Sequence, residues 1–331
     1  MVNKKYKICV LPSDRTGVSK FRSVDPHIYL QKMYPDEFWV DIIYDPPYQD
    51  DNFWKQFDLV HYHRSVRPNH ELAKMVQRKL TKWGIPHIMD LDDYWLPTSD
   101  HPAYMMIKQS NLHKHIMDNL KLAGHVTTTT PDFVAEIKKF NNNVSIYPNG
   151  IDHEEKQYIP KPTISDKVRV GWLGGSSHIK DLEILNGVFG RLHSERAESF
   201  QTVLCGYDLR GTMTEMDKAT GEQKQRPILP MESVWYKYEQ IFTNNHGNLP
   251  EGYKKELMEF KKKSITGDLD SVYRRVWTKP ITTYASNYNY FDVSLAPLKE
   301  HIFNKVKSQL KVIESGFHKK ALVAQDFGPY Q

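Results

Sequence analysis

The sequence predicts an α/β protein built from two similar layered domains facing each other. Three observations carry this. Short apolar runs alternate with helical patterns, the signature of βα units and a mainly parallel sheet. The alternation stops over residues 153–167, which hold lysine, glutamate and two prolines without strand or helix periodicity, so that this stretch reads as a linker. It restarts at Val168. A chain of 331 residues, 39% hydrophobic and 26% charged, is long enough for two domains of ordinary size.

Taken in order, Lys7–Leu11 reads as the first strand, followed by a loop at Gly17 and a helix over about Ser23–Met33. Phe38–Ile43 and Leu59–His63 read as strands. The spacing of Leu72, Met75, Val76 and Leu80 predicts a helix over Glu71–Trp83 with Gly84 as its C-terminal cap. Pro86–Leu91 reads as a strand ending in Asp90-Leu91-Asp92-Asp93. The β-branched stretch His125–Thr130 precedes a helix capped by Thr130 with Pro131 at its first position, and Val144–Tyr147 is a short strand. In the second half Val168–Leu173, Phe200–Cys205, Phe291–Ala296 and Ala321–Ala324 read as strands. A helix carries Leu182, Ile184, Leu185 and Val188, and a last one spans Lys307–Gly316. Residues 206–283 are polar, aromatic-rich and long for one crossover, and read as an insertion of loops and helices.

Composition narrows the function classes. No apolar run reaches the length of a membrane-spanning helix, and the N-terminus lacks the apolar core of a secretory signal. Cys9 and Cys205 lie far apart in apolar segments, so neither a disulfide framework nor a thiolate metal site is expected, which suits a reducing cytoplasm. With 45 basic and 40 acidic residues the net charge is +5, compatible with an anionic ligand, nucleic acid or a membrane surface. No P-loop, zinc signature or nucleic-acid-binding module is present.

Four constellations bear chemistry. Gly174-Gly175-Ser176-Ser177, between a strand and a helix that carries Lys180, offers backbone N–H groups and a helix start to a diphosphate; it also reads as a tight turn needing glycine only for its backbone. On a helix, Lys307, Lys311 and Glu314 would share a face, with Ser308 nearby, suiting phosphate and ribose hydroxyls; such spacing equally makes a solvated ion-paired face. Asp90, Asp92 and Asp93 at a strand end suit a cation, sugar hydroxyls or proton transfer, or simply a capped turn. His61 and His63 lack further ligands for a metal and read as core or pocket wall. Asp14, Arg15, Lys20 and Arg22 around Gly17 form either a phosphate-facing loop or an exposed basic turn. The aromatic cluster from Trp235 to Tyr290, including Tyr253, Tyr284 and Tyr288, reads as core packing of the insertion, and Lys261-Lys262-Lys263 as a solvated helix face.

Together these segments resemble family-4-type glycosyltransferases of the GT-B architecture. Tyr147-Pro148-Asn149-Gly150-Ile151-Asp152 is similar to the segment closing that family's N-terminal domain, Asp58 to His63 to its Asp-Val-Val-His-x-His strand, and Val168–Leu185 to the first βα unit of its donor domain. Pro297-Leu298 through Glu314, then Leu322–Ala324, resembles the donor-binding region. The chain departs from the pattern at Val306, where the first of two paired glutamates would stand, and at Gly175, where an arginine often stands. The family normally continues past Gly328–Gln331, so a chain shortened at its C-terminus is implied.

The resemblance implies two Rossmann-like domains across a cleft: 1–158 for the acceptor and 159–331 for the nucleotide-sugar donor, with the insertion around 206–283. It implies transfer of a sugar from a UDP-, GDP- or ADP-sugar with retention of configuration and no required cofactor or metal. Gly174, Gly175, Ser176 and Lys180 would hold the diphosphate, supported by Lys307, Ser308 and Lys311. Glu314 would hold the ribose, Gly17 would line the diphosphate from the other domain, and Asp92 and Asp93 would act on the acceptor or reacting sugar. The acceptor is a glycan, a lipid-linked glycan or modified DNA. The expected location is the cytoplasm, at the membrane periphery or in a host cell if the chain is phage-encoded. A nucleotide-sugar epimerase of the same architecture and a non-catalytic nucleic-acid binder are the rival readings.

Overall fold

The computed structural model describes residues 4–66, 69–162, 164–216, 223–243 and 272–331. They form two compact units. The first comprises 1–152, 300–310 and 326–331; the second comprises 153–299 and 311–325.

The first unit is built on a six-stranded sheet of β1 (Tyr6–Leu11), β2 (Phe38–Ile42), β3 (Leu59–His63), β4 (His87–Leu91), β5 (His125–Thr128) and β6 (Val144–Ile146). The order is β2-β1-β3-β4-β5-β6, every pair is parallel, and the order reverses between β1 and β3. The inner strands are apolar on both faces, as a sheet covered by helices requires: Cys9, Val10, Val60, Tyr62, Met89 and Leu91 are all fully or almost fully buried. Helix His70–Lys82 starts where the Asn69 side chain accepts from Leu72 N–H and ends at Gly84, whose φ of +69° suits a glycine cap. It turns Ala73, Val76, Gln77 and Leu80 inward, a face rotated slightly from the one the apolar spacing suggests. Thr130 caps helix Pro131–Ile137 as its sequence predicts. Val306 returns to this core late in the chain, its carbonyl accepting from the Thr129 and Thr130 hydroxyls.

The second unit holds a five-stranded parallel sheet of β7 (Val168–Leu173), β8 (Phe200–Tyr207), β11 (Tyr273–Trp277), β12 (Val293–Ala296) and β13 (Ala321–Ala324), in the order β11-β8-β7-β12-β13. Here the order reverses between β7 and β12. Two further strands, β9 (Thr212–Met216) and β10 (Gln223–Pro227), pair as an exposed antiparallel hairpin. Within 206–283, then, helix Val234–Phe242 and β11 belong to the main core through Trp235, Tyr238, Phe242 and Tyr273. Tyr253 and Lys261–Lys263 lie outside the described residues.

Two expectations are corrected below. The stretch at 153–167 has little regular structure, and part of it packs on the second unit: Gln157 and Tyr158 are buried there, Gln157 accepting from Ala285 N–H and its carbonyl contacting the His318 ring. The helix after β7 is broken into Ile179–Leu182, a 3₁₀ turn Glu183–Leu185 and Val188–Arg196, with Gly187 at φ +82° between them. The last helix runs Leu310–Phe317, so Lys307 does not share its face with Lys311 and Glu314. Lys307 instead follows the one-turn helix Ile302–Lys305, whose end is tied into the first unit through Val306.

Candidate functional site

In open α/β sheets, ligands gather outside the carboxyl ends of the strands where strand order reverses. Each unit has such an edge, and each is chemically distinctive.

In the first unit the strands β1, β3 and β4 deliver Ser13, His63 and Arg64, and Asp92 and Asp93. Ser13 Oγ lies 2.7 Å from His63 Nδ1, and His63 Nε2 lies 2.9 Å from Asp92 Oδ1. The Arg64 guanidinium donates to Asp92 at 3.1 Å and to Asp93 at 2.8 Å. Arg64 holds a φ of +63°, rare for a residue with a side chain, fixed by its N–H on the Asp90 carbonyl and by Asn119 on its own carbonyl. Strain of this kind persists where surrounding bonds over-determine it. Burial alone would raise the Asp92 carboxyl; the charge of Arg64 and the hydrogen-bonded His63 outweigh it and hold the group far below the usual carboxylate range. Around this network lies a cavity of about 240 Å³ whose walls include Ser13, Tyr44, His63, Arg64, His70 and His115. The last two rings stack at 3.9 Å.

Behind the edge sits a buried ion pair. Arg22, 1% exposed, donates through Nε and Nη2 to Asp90 at 2.8 and 2.5 Å. It also donates to the Tyr147 carbonyl and to Asn149, whose amide reaches Ser308 Oγ at 2.8 Å. Thr127 completes the Asp90 shell at 2.6 Å. The segment around Gly17 is therefore held in place, although Ser13, Arg15 and Thr16 are exposed. Gly17 opens a helical turn, Arg22 is locked inward, Lys20 pairs with Asp25, and Arg15 lies over the Tyr44 ring. Asp90 is consumed by this pair, whereas Asp92 and Asp93 pair with Arg64, itself part of the cavity wall.

His61 is buried against His27, ring centroids 4.4 Å apart, and burial holds its imidazole well below the usual value. Among the described residues, no group of three or more His, Cys, Asp or Glu is placed to hold a metal ion. No helix there is long and apolar enough to cross a membrane. Cys9 and Cys205 are buried free thiols.

In the second unit β7 ends at Leu173 and the glycine turn follows. Gly174 is required by packing, since a Cβ there would meet Trp172 at 2.3 Å; at Gly175 a Cβ would meet nothing within 4 Å. Gly175 and Ser176 are exposed, and the Gly175 carbonyl accepts from the Tyr238 hydroxyl at 3.2 Å, which itself accepts from His178 N–H at 2.8 Å. Lys311 brings its ammonium to the Leu173 carbonyl and over the Trp172 ring at 5.1 Å, so a cation stands at the strand end beside the turn. Lys180 pairs with Glu183 at 2.9 Å. Glu314 is buried and receives the hydroxyls of Tyr284 and Tyr288, the latter at 2.9 Å; burial pushes its carboxyl up to about 8. Arg275 is committed to Glu239 through two bonds of 2.6 and 2.9 Å and supplies no charge to this edge.

The structure thus brings together Gly174, Gly175, Ser176 and Lys311, places Lys180 and Glu314 in the same unit with partners of their own, and assigns Lys307 and Ser308 to the other unit. Ser13 and Arg64 were missed in the sequence. Their only signal is position, each just past the end of a strand flanking a switch in strand order.

No family model matches the sequence, and neither does any curated protein. Solved structures match over its whole length. An alpha-glucosyltransferase in complex with UDP and a 13-mer DNA containing a HMU base superposes with TM-score 0.53 at 11% identity, covering 99% of this chain and 84% of its own. Sucrose-phosphate synthase from Thermosynechococcus elongatus gives 0.52 at 12%, covering 99% and 83%. HepE from Anabaena in complex with UDP gives 0.52 at 12%, covering 98% and 82%. The fold is that of GT-B glycosyltransferases: two parallel-sheet α/β domains.

Proposed function

We propose that the chain is a glycosyltransferase that moves a sugar from a nucleotide-sugar, UDP-linked in the first instance, to a hydroxyl-bearing acceptor. The observation that carries this reading is the edge at β7 and β12, where an exposed glycine turn and the Lys311 ammonium stand at the switch point of the sheet. Free N–H groups and a fixed cation suit a diphosphate, and they stabilise it more as it departs with the bonding electrons of the sugar. Two of the similar structures were solved with UDP.

In this reading Gly174, Gly175, Ser176, Lys180 and Lys311 bind the diphosphate, and Glu314 takes the ribose hydroxyls by exchanging a tyrosine donor for them. The second unit holds the donor. The first holds the acceptor beside Asp92 and Asp93. The acceptor is a glycan, a lipid-linked glycan or a modified DNA base, the last being the chemistry of one neighbour's ligand. The protein works in the cytoplasm, transfer proceeds with retention and needs no metal, so EDTA should leave turnover unchanged and proton NMR of the product should show the donor's anomeric configuration. A thermal-shift screen against UDP-, GDP- and ADP-sugars, followed by transfer assays on glycan and modified-DNA acceptors, tests the reading. A ligand that binds only the native state raises its melting temperature by mass action. No shift with any nucleotide-sugar would refute it.

A further inference from the structure

Ser13, His63 and Asp92 form a chain of two short hydrogen bonds leading from the cavity of the first unit to a carboxylate. His63 has no exposed surface and Asp92 is only partly exposed, whereas Ser13 is exposed. Because Asp92 is anionic, it accepts from His63 at Nε2. In the neutral ring this puts the proton on Nε2 and leaves the lone pair of Nδ1 facing Ser13, at 2.7 Å. Ser13 Oγ also donates to the Asp14 carboxylate at 3.0 Å and lies 3.4 Å from Ser19 Oγ; of the two acceptors its one proton can reach, carboxylate and imidazole, the imidazole is the nearer. Among the described residues of the cavity wall, the arginine, Arg64, is paired with Asp92 and Asp93. The wall is otherwise largely apolar, with Leu11, Pro12, Val66 and Ile116 among its members.

We infer that Ser13, His63 and Asp92 are a proton relay whose exposed end, the Ser13 hydroxyl, receives the proton of the attacking hydroxyl on a neutral, single-ring acceptor seated in this cavity. The inference rests on the glycosyl-transfer reading for its reaction and on the geometry for its parts. As the acceptor oxygen bonds to the anomeric carbon, the bond from that carbon to the nucleotide diphosphate breaks and its electron pair leaves with the phosphate. The acceptor's proton moves to Ser13 Oγ while the Ser13 proton passes to His63 Nδ1. The resulting imidazolium donates from both nitrogens and is held by Asp92, then returns its proton to solvent by way of the exposed Ser13 hydroxyl. Ser13 is the catalytic residue here; His63 and Asp92 act through it. The cavity is smaller than the roughly 300–1,000 Å³ of sites for drug-sized ligands, which limits the occupant to one ring. The paired state of Arg64 favours a neutral ring over an anionic one.

Two measurements test this. Nitrogen-15 NMR of histidine-labelled protein should show His63 as the Nε2–H tautomer, shifting in Asp92→Asn; a ring protonated at Nδ1 alone overturns the relay whether or not any substrate is known. In transfer assays Ser13→Ala, an exposed and conservative change, should lower kcat by about a hundredfold with both KM values within about threefold of wild type. His63→Gln should do the same, and the double variant should be no worse than the poorer single one, as parts of one unit behave. Ser13→Thr should keep most of the rate. Wild-type kcat in Ser13→Ala, an effect on KM alone, or additive losses would overturn the relay. Absence of transfer by the wild type would refute the functional reading instead, with the NMR result still deciding the relay's geometry.

Discussion

The edges of the two sheets share a geometry and differ in chemistry. At the first, among the described residues, the charged groups at the strand ends are paired: Arg22 with Asp90, Arg64 with Asp92 and Asp93, His63 with Asp92. At the second, an exposed turn of small residues stands beside Lys311, whose ammonium reaches the Leu173 carbonyl and lies over the Trp172 ring. A pre-paired edge holds shape and proton positions and has little net charge to offer, which suits a neutral ligand. An open edge with free N–H groups and a cation suits an anion. That division of labour fits the proposed transfer from an anionic donor to a neutral acceptor.

The contrast can be broken by removing one cation from each edge. Arg22→Ala should destabilise the protein by about 3–5 kcal/mol in urea unfolding, because Asp90 would be left buried and uncompensated. A cost below about 1 kcal/mol would show that the first edge is not held by its charge pairs. Lys311→Ala, on a half-buried side chain, should cost under about 1 kcal/mol in the same experiment. Gly174→Ala probes whether the second edge is set by packing: a Cβ 2.3 Å from the Trp172 ring should cost about 1–3 kcal/mol, and an unchanged midpoint would show that the turn relaxes freely.

Glu314 separates stability from binding by pH. Its folded carboxyl titrates near 8 and its unfolded one near 4.5, so between these values the unfolded chain binds fewer protons. Stability is therefore fully present below about pH 4.5 and declines as pH rises through 8, by at most about 1.4 kcal/mol per pH unit. Glu314→Gln should remove that slope, and an identical pH profile in wild type and variant would contradict the buried state. A modest effect is expected at a cap: Thr130→Ala should cost about 1 kcal/mol, measured by the same unfolding curves.

Much of the fold was legible because parallel-sheet strands are short continuous apolar runs and their helices carry caps. Thr130-Pro131 and Gly84 stand where the sequence places them, and Val168–Leu173 is a strand to the residue. What was not legible depends on partners remote in sequence. Arg22 looks like a surface charge until Asp90, 68 residues away, is seen beside it. The apparent helix over Lys307–Gly316 is divided because Val306 is drawn into the first core by Thr129 and Thr130, which local periodicity does not encode. Glu314 looks like a solvated carboxylate until Tyr284 and Tyr288 close over it. Of the site, the glycine turn was readable as a motif, while the Ser13–His63–Asp92 chain joins three strand ends that only topology brings together.

Calorimetric titration of UDP into the wild type and Lys311→Ala tests the central claim most directly. Binding by the wild type, weakened about tenfold or more in the variant at unchanged fold, is the predicted result. Equal affinity in both, or no heat from the wild type, would contradict a diphosphate site at the end of β7.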